Sequence, residues 1–435
     1  MFFNKEIETM PRKEIEALQL ERLKRMVDYC MNSVPFYHDR LTKAGITADK
    51  IKTLSDIQYI PVTTKEDIRD HYPFGLFAQP MKNIVRIHAS SGTTGKPTVV
   101  GYTKRDLDMW SDVVARLCVA AGATEEDLIQ ISFGYGLFTG ALGLHYGLEK
   151  IGAAVVPASS GNTEKQVTLL KDFGATGIVS TPSYAMYMAE VARDMGFKKE
   201  DFKVRLGLFG SEGCSDEFRT EIENEWGLFA TDNYGMSELV GPGVAGECTL
   251  RQGMHIAEDH FLAEIIDPNT LEPLPEGEQG ELIITPLTKE AFPLLRYRTK
   301  DISRLNKEPC ACGRTHARMD KIKGRTDDML KIRGVNVFPS QIESVLLGVP
   351  QVGPNYQLVV RREGVMDKLE VKAELIDPAV LEKYADLENI QRSIKHKLQV
   401  VLGIDAKVTL VEPKQLERFV GKAKRVMDLR NEEGK

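Results

Sequence analysis

Asp127-Leu-Ile-Gln-Ile-Ser132, Ala153-Ala-Val-Val-Pro157, Gly177-Ile-Val-Ser180 and Val204-Arg-Leu-Gly-Leu-Phe209 are four short apolar runs read as strands. Between them, Thr163 to Phe173 and Tyr184 to Met195 carry helical patterns. From about 84 to 300, strands thus alternate with helices, which predicts α/β layers with largely parallel sheet. On the N-terminal side, Ile15, Leu18, Leu23, Met26, Val27 and Cys30 fall near helical spacing until Pro35 breaks the pattern. This helix is expected to pack on its own chain; an N-terminal microdomain or a homodimer contact is the alternative. Past about 325 the character changes. Gln357 to Val360, Lys368 to Leu375 and Lys407 to Val411 are read as strands, and about 378 to 402 as a helix. Ser340-Gln-Ile-Glu343 has the spacing of a helix-opening capping box. The expected division is a large domain over 1–326, helical over 1–84, and a small α+β domain over 327–435.

Composition limits the function. The 435 residues are 42% hydrophobic and 28% charged, the balance of an ordered globular protein. With 57 Lys+Arg against 63 Asp+Glu, the net charge of −6 argues against a nucleic-acid partner, whose capture needs excess positive charge. No apolar run approaches the ~20 residues of a membrane span. Met1-Phe-Phe-Asn-Lys-Glu6 has no signal-peptide core, and six cysteines do not make a disulfide framework. A cytoplasmic enzyme without a membrane partner is expected.

The sharpest motif is Ala89-Ser-Ser-Gly-Thr-Thr-Gly-Lys-Pro-Thr98. Hydroxyls of Ser90, Ser91, Thr93 and Thr94, the backbone freed by Gly92 and Gly95, and the Lys96 cation suit phosphate oxygens. The Walker A pattern fails, because only two residues separate the glycines and Pro97 follows the lysine. Gly210-Ser-Glu-Gly213, Asp232-Asn-Tyr-Gly-Met-Ser-Glu238, Leu295-Arg-Tyr-Arg-Thr-Lys-Asp301, Lys323-Gly-Arg-Thr-Asp327 and Val420-Gly-Lys-Ala-Lys424 follow in order. Each is weak alone.

Together, in this order and spacing, they resemble the core motifs of the adenylate-forming superfamily of acyl-CoA synthetases, peptide-synthetase adenylation domains and luciferases, over residues ~85 to 430. Phe133-Gly-Tyr-Gly-Leu-Phe-Thr-Gly140, Glu258-Asp-His-Phe261 and Arg333-Gly-Val-Asn-Val-Phe-Pro339 resemble the phenylacetate–CoA ligase family within it. One departure is Val420 where the wider superfamily has serine. The resemblance implies a large N-terminal adenylate-forming domain and a small mobile C-terminal one. It also implies two half-reactions: acid plus ATP gives acyl-AMP and pyrophosphate, then coenzyme A displaces AMP.

By the same resemblance, Ser90 to Lys96 hold the β- and γ-phosphates and Glu238 helps hold Mg²⁺. Asp301 accepts from the ribose hydroxyls, and Arg325 contacts nucleotide. Tyr234 stacks on adenine, with Gly210, Ser211, Glu212 and Gly213 along the other side of the base; an ordinary core tyrosine is the alternative. Asp232, Asn233, Gly235, Met236 and Ser237 complete the nucleotide segment. Asp327 is the hinge between domains, and Lys422 the lysine of the adenylation step.

Phe133, Tyr135 and Phe138, interrupted by Gly134 and Gly136, offer aromatic surface for an aryl acid, with Gly235 and Pro242 as further wall. Core packing of these aromatics is the alternative. Cys310-Ala-Cys312-Gly resembles half of a zinc knuckle, and with Cys248 and His255 would make a closed structural Cys₃His site. His260 and His316 compete for the nitrogen position, and free thiols are the plain alternative. The leading expectation is an aryl-acid–CoA ligase. A different acyl acceptor (carrier thiol, amine or deazaflavin) and a noncatalytic nucleotide or CoA sensor are the other readings.

Overall fold

The computed structural model describes residues 1–90, 97–327, 330–333, 335–363, 366–381, 383–419 and 424–430. Among these, no helix is long and apolar enough to cross a membrane. A nine-stranded sheet forms the body. The strands Ala154–Val156, Leu128–Ile131, Gly177–Ser180, Leu206–Gly210 and Phe229–Met236 lie side by side, in that order, and all are parallel. Helices Thr163–Asp172, Pro182–Asp194 and Asp216–Trp226 lie between successive strands, as crossover connections require.

The expectation of largely parallel sheet holds for those five strands and no further. Phe229–Met236 turns back into Gly241–Glu247, and from there Met254–Ile256, Arg318–Met319 and Leu305–Asn306 all pair antiparallel. Four residues between Met236 and Gly241 are too few for a crossover, so the chain can only fold back. A second sheet is wholly antiparallel: Phe261–Ile266, Gly280–Pro286, Tyr297–Ser303 and Gly324–Arg325.

Helix Arg12–Ser33 buries Ile15, Leu23, Met26, Val27 and Cys30, with Leu18 half-buried. Its apolar face is therefore used within the chain. Pro35 occupies the first position of the next helix, Pro35–Ala44, where its missing N–H costs nothing.

From Leu330 onward a separate core forms around Ile332, Val337, Ile342, Leu358, Val371, Ile394 and Leu410. Its sheet runs Lys407–Val411, Met366–Leu375, Val352–Glu363, Val426–Asp428, with both outer strands parallel to their neighbours. The expected helix over 378–402 is a 3₁₀ turn, Pro378–Val380, followed by helix Tyr384–Leu402. The Ser340–Glu343 capping box does not form. The helix starts earlier, with Pro339 at its first turn, and Gln341 Oε1 accepts from the Phe338 N–H at 3.0 Å. Ser340 instead donates to the Lys323 carbonyl.

Candidate active site and metal centre

The site is assembled where the two sheets meet. Parallel pairing sets Gly210 beside Asn233. A Cβ on Gly210 would lie 2.6 Å from the Asn233 carbonyl, so only glycine fits that approach. Ser211 follows at φ 72°, in the left-handed region that side-chain-bearing residues seldom occupy. The turn is fastened by Glu212, whose Oε1 accepts from the Ser183 N–H at 2.6 Å. Gly213 has open space around it. Asp232 takes the Glu247 carboxylate on its backbone N–H, and burial, reinforced by that same carboxylate, pushes its own carboxyl up to about 7.

Four residues from three separate motifs form one hydrogen-bonded chain. The Tyr234 hydroxyl donates to Asp301 Oδ2 at 2.6 Å, and Arg325 donates to Asp301 Oδ1 at 2.7 Å. The same guanidinium grips Asp327 at 2.9 and 3.1 Å. Direct pairing of Asp301 with Arg325 across neighbouring strands sets this geometry. Burial holds the Asp301 carboxyl above its usual range, against the pull of Arg325 and Tyr234. Tyr234 is buried, with its hydroxyl engaged by a residue expected to bind ribose.

Glu238 is buried just past the strand that carries Tyr234 and Met236. Lys65 Nζ stands 3.7 Å from its Oε1, and the fully buried Lys289 donates to its main-chain carbonyl at 3.3 Å. The Lys289 ammonium lies 4.8 Å from the Tyr102 ring centroid and 5.3 Å from that of Phe292, and burial lowers it to about 8. Neither lysine was singled out in the sequence. Lys65 had one available signal, the capping box between Thr64 and Asp67 that opens its helix. Lys289 had none.

The expected acid-pocket residues divide by burial. Phe133 is buried in the main core, Tyr135 is half-buried and Phe138 is exposed. The Tyr135 hydroxyl meets His145 Nδ1 at 3.0 Å. Thr139, at the end of this segment, shares a 3.0 Å hydrogen bond with Ser237, which joins the aromatic stretch to the end of strand Phe229–Met236. Trp110 fixes Pro242 by donating to its carbonyl at 2.8 Å. At Gly235 a Cβ would stand 1.9 Å from the Gly241 carbonyl, so the strand crossing itself demands glycine. Ser90 pairs with Thr98 through both backbone and side chain. Ser91, Gly92, Thr93, Thr94, Gly95, Lys96 and Lys422 lie outside the described residues.

At the far end of strand Gly241–Glu247, the ligand atoms of Cys248, His255, Cys310 and Cys312 all lie within 4.8 Å of one another. Cys312 Sγ is 3.5 Å from His255 Nε2, and Cys248 Sγ is 4.0 Å from Cys310 Sγ. Burial alone would raise the Cys312 thiol; the hydrogen bonds from His255 and Arg314 more than reverse it. Both competing histidines are occupied elsewhere. His316 bonds the Ile256 and Ile7 carbonyls, and His260 bonds Thr288 and Asp259. Three thiols and one imidazole in this compass are the donor set of a closed tetrahedral zinc site. The N-terminal segment is clamped to the same knuckle. Arg314 holds Glu8, Thr315 donates to the Glu8 and Met10 carbonyls, and the Phe2 ring lies under Arg314.

This architecture and site define a class. Residues 17–286 match the AMP-binding enzyme family, and residues 334–430 match the AMP-binding enzyme C-terminal domain. The chain belongs to the AMP-binding family of adenylate-forming enzymes. It is 50% identical to a phenylacetate-coenzyme A ligase of Thermus thermophilus, over 99% of this chain and all of that protein. Among solved structures, 2-hydroxyisobutyryl-CoA ligase in its postadenylation state, in complex with R3-HIB-AMP, superimposes with a TM-score of 0.91 at 30% identity, covering 97% of this chain and 91% of that one. The same ligase with 2-HIB-AMP and CoA in its thioesterification state gives 0.73, covering 99% and 93%.

Proposed function

We propose that this protein ligates an aryl acid, phenylacetate, to coenzyme A through an acyl-adenylate, releasing AMP and pyrophosphate. The observation that carries this reading is the 50% identity, end to end, with a phenylacetate-coenzyme A ligase. A carboxylate is a poor electrophile that repels a thiolate, and joining it to AMP removes both obstacles. The protein's part is alignment and charge neutralisation. Asp301 accepts from the ribose hydroxyls, Arg325 contacts the nucleotide, and the Gly210–Gly213 turn with Asp232, Asn233, Tyr234, Gly235, Met236 and Ser237 frames the base. The Ser90–Lys96 loop receives the β- and γ-phosphates.

Glu238 suits Mg²⁺, since a hard cation takes oxygen ligands; Lys65, now beside that carboxylate, occupies ground where a cation is wanted. Magnesium there would offset phosphate charge. Lys422 neutralises the acid and the α-phosphate as they approach. Phe133, Tyr135 and Phe138, with Gly235 and Pro242 as further wall, favour an aryl group. The Cys248, His255, Cys310 and Cys312 set holds a structural zinc, whose four protein ligands leave no position for substrate. Dependence on ATP and CoA supports a cytoplasmic setting.

We place the domain boundary at 326/327, with Asp327 as hinge. The separate core that begins at Leu330 supports it. Rotation there exchanges Lys422 for the hairpin near Leu330–Val337 beside the thioester-forming centre. The test is acid-dependent exchange of pyrophosphate into ATP across aryl and alkyl acids, followed by mass spectrometry of the CoA products. Strongest exchange and a thioester with phenylacetate are expected. Folded, ATP-binding protein that exchanges with no aryl acid would end the reading.

A further inference from the structure

Three polar contacts join the two domains on one helix of the large domain, Pro182–Asp194. Glu190 Oε2 accepts from Arg418 Nε at 3.1 Å, and Glu190 Oε1 accepts from Asn355 Nδ2 at 3.2 Å. One turn further on, Asp194 Oδ2 accepts from Lys414 Nζ at 2.5 Å. Glu190 and Arg418 are each only 15% exposed, so their pair is sheltered from solvent; the Asp194–Lys414 pair is open.

From these contacts we infer that Glu190, assisted by Asp194, is a positioning residue for the first half-reaction: a latch that holds the small domain in its adenylation pose. Both carboxylate oxygens of Glu190 are taken by the small domain. Arg418 is built to let go. Its two terminal nitrogens are held at 2.8 Å by Glu374 of its own domain, a buried carboxylate that also accepts from the Leu416 N–H. Arg418 also donates to the Leu416 carbonyl at 3.2 Å, so rotation of the small domain would cost the guanidinium one bond of four and leave its buried partner Glu374 paired. Such a contact biases an equilibrium without locking it.

Its position in the sequence matters. Arg418 precedes Lys422 by four residues, and Arg425 follows it by three. Arg425 pairs with Glu343 of its own domain, and its guanidinium lies 6.0 Å from the Phe218 ring of the large domain. In sequence, Lys422 thus falls between two arginines that each reach the large domain. The overall arrangement superimposes better on the postadenylation than on the thioesterification form of a related ligase.

The inference rests on the two-step reading above, so the test has one arm that needs no substrate. Spin labels introduced as unnatural residues at exposed Lys165 and Ser393 report the distance between domains by pulsed electron resonance. The wild-type chain should give a narrow distribution, and Glu190→Gln should broaden it or shift it. In the kinetic arm, Glu190→Gln should slow pyrophosphate exchange about tenfold, the scale of one charge-assisted hydrogen bond. Thioester formation from supplied acyl-adenylate should be unchanged or faster. Asp194→Lys and Lys414→Asp should each slow exchange, and the double reversal should restore it, a rescue that a merely structural role would not give. An unchanged distance distribution in Glu190→Gln would overturn the latch, as would equal loss of both half-reactions. A wild-type chain that fails to exchange would sink the ligase reading, and the distance arm would still decide the latch.

Discussion

Glu238 illustrates how a single side chain can be dictated from several directions. Its backbone carbonyl is held by a buried ammonium, and its carboxylate faces a second one that reaches in from the N-terminal helices. Replacing it with glutamine keeps the shape and removes the charge that would bind Mg²⁺. Pyrophosphate exchange is expected to fall ~10²–10³-fold, the scale of a lost electrostatic partner, with a higher magnesium requirement in a titration. Asp232 allows a different experiment. Its folded value of about 7 lies above the unfolded value near ~4, so the folded chain binds this proton more tightly. Stability from this group is fully present below the unfolded value and is lost as pH rises toward the folded one. Asp232→Asn should therefore gain stability relative to the parent between pH 5 and pH 8, read by urea melts at both. A parent and variant that track each other would show that Asp232 ionises freely. Asp301, Arg325 and Asp327 were legible because their motifs are dense and ordered. Lys65 and Lys289 were not, since nothing near a lone lysine in sequence says which distant carboxylate it will face.

At the scale of elements, the parallel strands could be read directly, because strands covered on both faces are short unbroken apolar runs. Strand Gly241-Pro-Gly-Val-Ala-Gly-Glu247 could not. Three glycines and a proline argue against a strand, yet every residue is buried. The reason lies in helix Lys104–Ala121, which packs directly on it. A Cβ on Gly246 would stand 2.6 Å from Leu117, and one on Gly243 would stand 2.9 Å from Val113 and Val114. Gly246→Ala should destabilise the protein by about 1–3 kcal/mol, the usual penalty of overpacking, in chemical denaturation. The cysteine cluster was legible in outline, but the choice among three histidines was not; it took the backbone bonds of His316 and the Asp259 contact of His260 to decide it. About one zinc per chain is expected by elemental analysis. The Cys310→Ser, Cys312→Ser double variant should lose the metal and part of the stability, as closed thiolate sites couple to folding. It should also release residues 1–12 to protease, since Arg314, Thr315 and His316 hold them. Protein prepared without chelator and found free of zinc would reject the site.

For the whole molecule, the division into a large body and a small C-terminal unit was visible as a change of pattern near 325. What could not be seen was how the units contact each other, because Glu190, Asp194, Asn355 and Arg418 belong to no motif. The two-step mechanism makes opposite demands on two residues. Lys422→Ala should slow adenylation by several powers of ten and leave thioester formation from supplied acyl-adenylate nearly intact. Asp327→Pro fixes φ near ~−65° and should do the reverse, sparing the first step and blocking the second. Separate assays of the half-reactions check both, and equal loss of both steps in both variants would rule out rotation about this hinge.

Strand Gly241–Glu247 joins two places with different chemistry. One end carries Gly241 and Pro242, the latter proposed above as part of the acid pocket, and Cys248 follows the other end, about 20 Å away at ordinary strand rise. If a metal and an acid bind at its opposite ends, any coupling between them through the strand must be reciprocal. Whatever factor a metal at the thiolates adds to acid affinity, bound acid must add to metal affinity, because the coupling free energy belongs to the pair. Chelator competition with and without substrate therefore weighs, from the metal's side, how stiffly this strand connects its two ends.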